Sequence, residues 1–253
     1  MKSFLNKKGY WALLVFMALS VICKASFAQI KVPNKGIKVL NKGIAGNNTQ
    51  NLLSRIDKDV IAEKPDLVIL MVGTNDLVNS RKMIAYDKLE QNYQQLIEKL
   101  RANHITLVMM SPPPVDTGYL FLRHDPKSYD ENPNVKIDSL NKLVKKLSKA
   151  SQSHFIDLHA VFKAAGSPNR TVNSLTVNEA NMGVADGIHP TKEGYALIAN
   201  TIYRHLVKQG LLKKNRKIIC FGDSMTYGSF MKGAGTVDGG TYPAVLKELI
   251  ERN

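Results

Sequence analysis

Cysteine is scarce in this chain of 253 residues: there are two, Cys23 and Cys220. Only Cys220 lies beyond residue 28, so removal of an N-terminal leader would leave no partner for a disulfide within the chain. The fold must then be held by its own core. Cys220 sits in the apolar run Ile218-Ile219-Cys220-Phe221, which predicts a buried, inert thiol. Acids are also few, 21 Asp and Glu against 35 Lys and Arg, for a formal net charge of +14. That excess invites a nucleic-acid partner, but zinc-finger spacing and an aromatic RNA-binding signature are both missing. The lysines are spread along a helical stretch (Lys142, Lys145, Lys146, Lys149), and the one dense cluster, 213–217, falls between two elements. A solvated basic surface and no nucleic-acid partner are expected. An acidic polysaccharide stays open.

No hydrophobic run is long enough to span a bilayer comfortably, which takes roughly 20 residues. The longest, 11–22, is preceded by Lys2, Lys7 and Lys8 and followed by the small-x-small segment Ser26-Phe27-Ala28. This predicts a secretory signal peptide over 1–28, cut before Gln29. A lipoprotein signal at Cys23 is disfavoured, because Ile22 stands where a small residue is wanted. The leader carries four lysines and no acid, so its loss takes the net charge to about +10. What remains, 29–253, suits one α/β domain, secreted or periplasmic, with no stable membrane insertion.

The pattern along that domain alternates short apolar runs with amphipathic stretches, as in a parallel sheet covered on both faces by helices. Strands are predicted at 37–40, 67–72, 105–110, 154–158 and 217–221. Helices are predicted at 49–63, about 87–103, 135–150, 191–209 and 242–252. Residues 115–133 and 166–187 lack periodicity and read as loops, the first after Pro112-Pro113-Pro114. The expected fold is a single three-layer α/β/α domain with a five-stranded parallel sheet.

Four short segments stand at strand ends or ahead of a helix, where ligands gather in parallel sheets. They are Gly43-Ile44-Ala45-Gly46, Gly73-Thr74-Asn75-Asp76, Asp186-Gly187-Ile188-His189 and Gly222-Asp223-Ser224. A serine hydroxyl is a weak nucleophile until a base takes its proton, and histidine suits that task near neutral pH. Asp186 and His189 are three apart, close enough for the carboxylate to reach Nδ1 while Nε2 faces Ser224. Pro190 would start the next helix. The backbone N–H groups of Ser224 and Gly46 and the amide of Asn75 are candidate donors to an oxyanion. Singly, each of these residues reads as an ordinary cap or turn.

Together the four segments resemble the sequence blocks of the SGNH (GDSL-like) hydrolase family. The resemblance implies Ser224 as nucleophile, His189 as base, Asp186 as its orienting acid, and Gly46 and Asn75 in the oxyanion hole. It implies no cofactor and no metal. It further implies a flavodoxin-like sheet and a small-molecule or glycan ester substrate, with acetyl esters of carbohydrates as the leading class. One departure stands out: the Gly-Asp-Ser block comes last here, not first. A circular permutation accounts for that and predicts that the strand at 217–221 inserts between the first two.

Other readings are a lysophospholipase or thioesterase, or a glycan-binding protein on the same fold without turnover. The α/β-hydrolase fold is disfavoured, since there is no Gly-x-Ser-x-Gly elbow. His154 and His159 flank Asp157, but their spacing favours surface histidines over a metal site. Glycines 233, 235, 239 and 240 lack a phosphate-loop pattern and predict a flexible loop beside Ser224.

Overall fold

The computed structural model describes residues 36–252. The expected signal peptide, 1–28, lies outside the described residues. The strands are β1 (Lys38–Gly43), β2 (Leu67–Met71), β3 (Thr106–Met110), β4 (His154–Ile156) and β5 (Lys217–Gly222). The helices are α1 (Thr49–Asp59), α2 (Thr74–Val78), α3 (Tyr86–Ala102), α4 (Thr117–Leu120), α5 (Pro133–Ala150), α6 (Leu158–Ala164), α7 (Glu179–Met182), α8 (Lys192–Lys208), α9 (Ser224–Tyr227) and α10 (Tyr242–Arg252).

All strand pairs are parallel, in the order β1-β5-β2-β3-β4. The strand at 217–222 thus lies inside the sheet, between the first two. Its residues alternate between two cores, as a period of two requires. Ile219 and Phe221 join Leu52, Ile56, Tyr93, Leu96, Leu140 and Val144 under α1, α3 and α5. Ile218 and Cys220 join Phe162, Tyr195, Ile198, Ile202, Leu246 and Ile250 under α6, α8 and α10. This is the expected three-layer α/β/α domain. Burial pushes the Cys220 thiol up to about 12, so it stays protonated and inert.

Helix boundaries follow their caps. Asn48 and Asn51 form a reciprocal capping box at the start of α1, and Pro133 occupies the first turn of α5 behind its cap Asn132. Several expectations shift: β1 runs to Gly43, and the stretches read as loops hold the short helices α4 and α7. Helix α1 stops at Asp59 and passes into a 3₁₀ turn, Ile61–Glu63. Strand β4 ends at Ile156, because the Asp157 side chain accepts the Ala160 N–H and opens α6. Thr191, not Pro190, begins α8, accepting the Gly194 N–H with its hydroxyl. Pro190 instead bridges to Thr176.

The register places three loops side by side. Gly43, Gly222 and Met71 are aligned across β1, β5 and β2, so the chain leaves the sheet at neighbouring points toward residues 44–48, 223–228 and 72–76. At Gly43 a Cβ would stand 2.1 Å from the Tyr227 nitrogen, so only glycine lets α9 pack this close to β1.

Candidate active site

Ser224 opens α9 directly after β5, with Asp223 as the cap whose side chain accepts the Met225 N–H at 2.9 Å. The Ser224 Oγ lies 2.9 Å from His189 Nε2. On the far side of the ring, His189 Nδ1 is 3.0 Å from each oxygen of Asp186. Since both neighbours of Nδ1 are carboxylate oxygens, Nδ1 must carry the proton, and Nε2 is the acceptor for the serine hydroxyl. A hydroxyl, imidazole and carboxylate in this order can pass the hydroxyl proton to the ring and stabilise the resulting cation.

The turn that carries Asp186 and His189 is tightly tied. Asp186 Oδ2 accepts the N–H of Ile188 at 2.9 Å and that of His189 at 2.6 Å. Arg123 donates to Asp186 Oδ1 at 2.8 Å and to its carbonyl oxygen at 2.6 Å. Burial alone would push the Asp186 carboxyl up. The hydrogen bond from His189, its charge and the two backbone N–H groups outweigh burial, and hold the carboxyl well below the usual range. Arg123 escaped the sequence reading because it lies in the aperiodic stretch 115–133, and nothing local marks it as a partner of Asp186.

On the opposite side of Ser224 the donors are left open. Gly46, at φ +74°, lies in the turn closed by the Asn47 N–H to the Ile44 carbonyl. Among the described residues, neither its N–H nor that of Ser224 has an acceptor. The Asn75 amide is fixed by donating to the Asn47 carbonyl at 2.9 Å and by accepting from Asn79 at 3.0 Å. These groups share with His189 and Arg123 a cleft of about 270 Å³. All five residues named from the sequence (Ser224, His189, Asp186, Gly46 and Asn75) therefore belong to one neighbourhood.

Beneath the cleft lie two buried carboxyls. Asp76 accepts the backbone N–H and the hydroxyl of Thr49, which ties α2 to the start of α1; its carboxyl is raised by burial. Asp223 is wholly enclosed, and burial pushes it up to about 7, against the pull of the Met225 N–H and the His189 charge.

The glycine-rich stretch after α9 is a chain of hydrogen-bonded turns, among them Met231 N–H to the Gly228 carbonyl and Gly235 N–H to the Tyr227 carbonyl. It carries Phe230, also missed in the sequence, whose exposed ring sits tilted against His189 with centroids 5.4 Å apart. Phe230 has φ +69°, a left-handed backbone that a bulky residue rarely adopts. His159 proves buried rather than on the surface, with Nε2 3.1 Å from Asp138 Oδ1. His154 is half-buried and edge-on to His205.

The sequence matches the GDSL-like Lipase/Acylhydrolase family over residues 24–197. It is 26% identical over 185 residues to the acetylxylan esterase of Geobacillus stearothermophilus, covering 70% of this chain and 76% of that one. Among solved structures it resembles a putative acylhydrolase from Bacteroides fragilis (28% identity, TM-score 0.52, covering 66% of this chain and 74% of that one). Two variants of the Geobacillus esterase, each described as a catalytic mutant, also match. One is altered at a serine (25% identity, TM-score 0.51, 65% and 70% coverage) and one at a histidine (26%, 0.54, 68% and 73%).

Proposed function

The chain belongs to the GDSL-like Lipase/Acylhydrolase family and is a carboxylic ester hydrolase; from that premise we propose that Ser224, His189 and Asp186 carry out the hydrolysis of small acyl esters on carbohydrates. The observation that carries the proposal is the unbroken chain from Ser224 Oγ through His189 to Asp186, at 2.9 and 3.0 Å.

In the first half-reaction the Ser224 Oγ attacks the ester carbonyl carbon while His189 Nε2 takes its proton. The carbonyl oxygen becomes an oxyanion, received by the N–H groups of Ser224 and Gly46 and by the Asn75 amide. Collapse of the tetrahedral species expels the alcohol, which leaves with the proton from Nε2. In the second half, water gives its proton to Nε2 and attacks the acyl-serine, releasing the carboxylic acid and restoring the Ser224 hydroxyl. Asp186 keeps the ring in the right tautomer throughout.

The size and lining of the cleft favour a short acyl group. At about 270 Å³, and walled by Asn75, Asn79, Arg123 and His124 beside Ala45, Val78 and Ile188, it has room for a short acyl group. The acetylxylan esterase among the relatives and the exposed Phe230 ring support a sugar on the alcohol side. Hydrolysis of p-nitrophenyl acetate, read beside fluorophosphonate labelling, tests the nucleophile. Ser224→Ala should lose both with its fold intact; full turnover by that variant would remove Ser224 from the mechanism.

Two further parts of the reading rest on the chain order. The family match over 24–197 stops short of Ser224, whereas the serine altered in the Geobacillus mutant lies near the start of that chain. Both support a circular permutation. A variant with residues 217–252 moved by a flexible linker ahead of residue 36 should then fold and hydrolyse esters; an unfolded, inactive product counts against it. Export is proposed from the leader-like start, and N-terminal sequencing of the exported protein should begin at Gln29.

A further inference from the structure

The charge around the cleft is one-sided. Among the described residues no carboxylate lines it, and the acid of the proposed mechanism, Asp186, is buried and already held by His189 and Arg123. Arg123 lines the cleft, and the Lys82 Nζ lies 3.8 Å from where a Cβ on Gly46, another lining residue, would stand.

Lys82 is half-buried, yet its amine has neither a hydrogen bond nor an ion pair among the described residues. Elsewhere, cations of similar burial are matched: Lys42 and Lys217 with Glu63, and Arg55 with Asp59. Next to Lys82, the exposed Arg81 guanidinium also has no ion pair among the described residues. Burial lowers the pKa of His124 on the cleft wall, and the charges of Arg123 and, more weakly, Arg81 add to that direction. His124 is itself fixed by Ser80 Oγ at 2.8 Å from Nδ1. Positive charge concentrated in a partly dry cleft attracts anions and raises their local concentration.

We propose that the site selects acyl esters of sugars that carry a carboxylate near the acylated hydroxyl, with Lys82 and Arg81 as the residues that receive it. The proposal rests on the esterase reading and narrows its substrate to acidic sugars. The carboxylate belongs on the alcohol part, because the cleft holds only a short acyl group.

The test compares three esters at low and physiological ionic strength: methyl 3-O-acetylglucuronide, methyl 3-O-acetylglucoside, and the glucoside hemisuccinate, whose charge is on the acyl part. The acetylglucuronide should show a kcat/KM about tenfold or more above the acetylglucoside. That advantage should shrink as the screening length falls from about 30 Å to about 8 Å. Lys82→Gln and Arg81→Gln should each bring the ratio toward one, mainly through KM for the charged sugar. An equal loss on both acetyl sugars would make Lys82 a general stabiliser of the oxyanion and overturn the inference, as would a preference for the hemisuccinate. Equal rates for the two acetyl sugars with no salt dependence would overturn it alone. Failure to hydrolyse any ester, p-nitrophenyl acetate included, would bring down the esterase reading itself.

Discussion

Asp186 and Asp223 flank the same serine–histidine pair, and the protein treats them in opposite ways. Asp186, in the turn at 186–189, collects two backbone N–H groups, the imidazole and a guanidinium, and its carboxyl is held well below the usual range. Asp223, in the segment that opens α9, has one backbone donor for its side chain, lies fully buried near Asp76, and is raised to about 7. Burial raises both; the donors and the imidazole around Asp186 outweigh it there, while at Asp223 it prevails with the help of the nearby Asp76 charge. One carboxylate is kept charged, as the proposed mechanism requires of the partner of an imidazolium; the other acts as a cap whose charge the surroundings resist.

The first way to break this comparison is Asp186→Asn, which keeps the shape and removes the charge. An amide would present a donor to Nδ1 and favour the wrong tautomer, so kcat should fall by about 10⁴ with KM little altered. A loss below about tenfold would show that the donors around Asp186 serve folding rather than the reaction. For Asp223 the prediction concerns stability. Its folded pKa is raised, so between about pH 4 and pH 7 the unfolded chain ionises there while the folded one keeps its proton, and stability declines with rising pH. The decline is complete above about 7 and amounts to about 4 kcal/mol at most. Asp223→Asn retains an acceptor for the Met225 N–H and should flatten that slope in thermal melts across the interval. An unchanged slope would place the effect elsewhere.

Two smaller changes sharpen the contrast. Asn75→Ala removes one proposed oxyanion donor and should cost about 10²–10³ in kcat, without moving the acid limb of the pH–rate profile. Arg123→Gln loosens the Asp186 turn from outside and should lower kcat about tenfold, because a slightly misplaced base is enough to slow proton transfer. Arg123→Lys should restore little of it, since an ammonium cannot span the carboxylate and the carbonyl together.

Much of this architecture can be read in the amino-acid order. The strands hold unbroken apolar runs at 67–71 and 218–221 because both their faces are covered, and a doubly buried strand leaves little room for another pattern. The residues of the site were readable for a related reason: Gly-Asp-Ser, Gly-Thr-Asn-Asp and Asp-x-x-His stand where strands end. Elements supported mainly by tertiary contact were not readable. Helix α6 is about two short amphipathic turns after Asp157, too brief to separate from a strand tail. Helices α2 and α9 are single turns whose starts are set by Gly73 and by Asp223. Arg123 and Phe230 reach the site across the fold, so no neighbour in sequence betrays them.

Strand β5 is bonded along both edges to partners that precede it by roughly 150 to 180 positions, Leu67 with Ile218 and Lys38 with Lys217. Closing so long a loop adds only modestly to the entropy lost, which grows with the logarithm of its length, but it slows the search, because contacts distant along the chain form late. Until that closure, β1 and β2 each expose an unpaired ribbon edge to any other chain nearby. Refolding from denaturant should therefore be slow and concentration-sensitive, with a synthetic peptide copy of residues 217–222 acting as a competitor for the open slot.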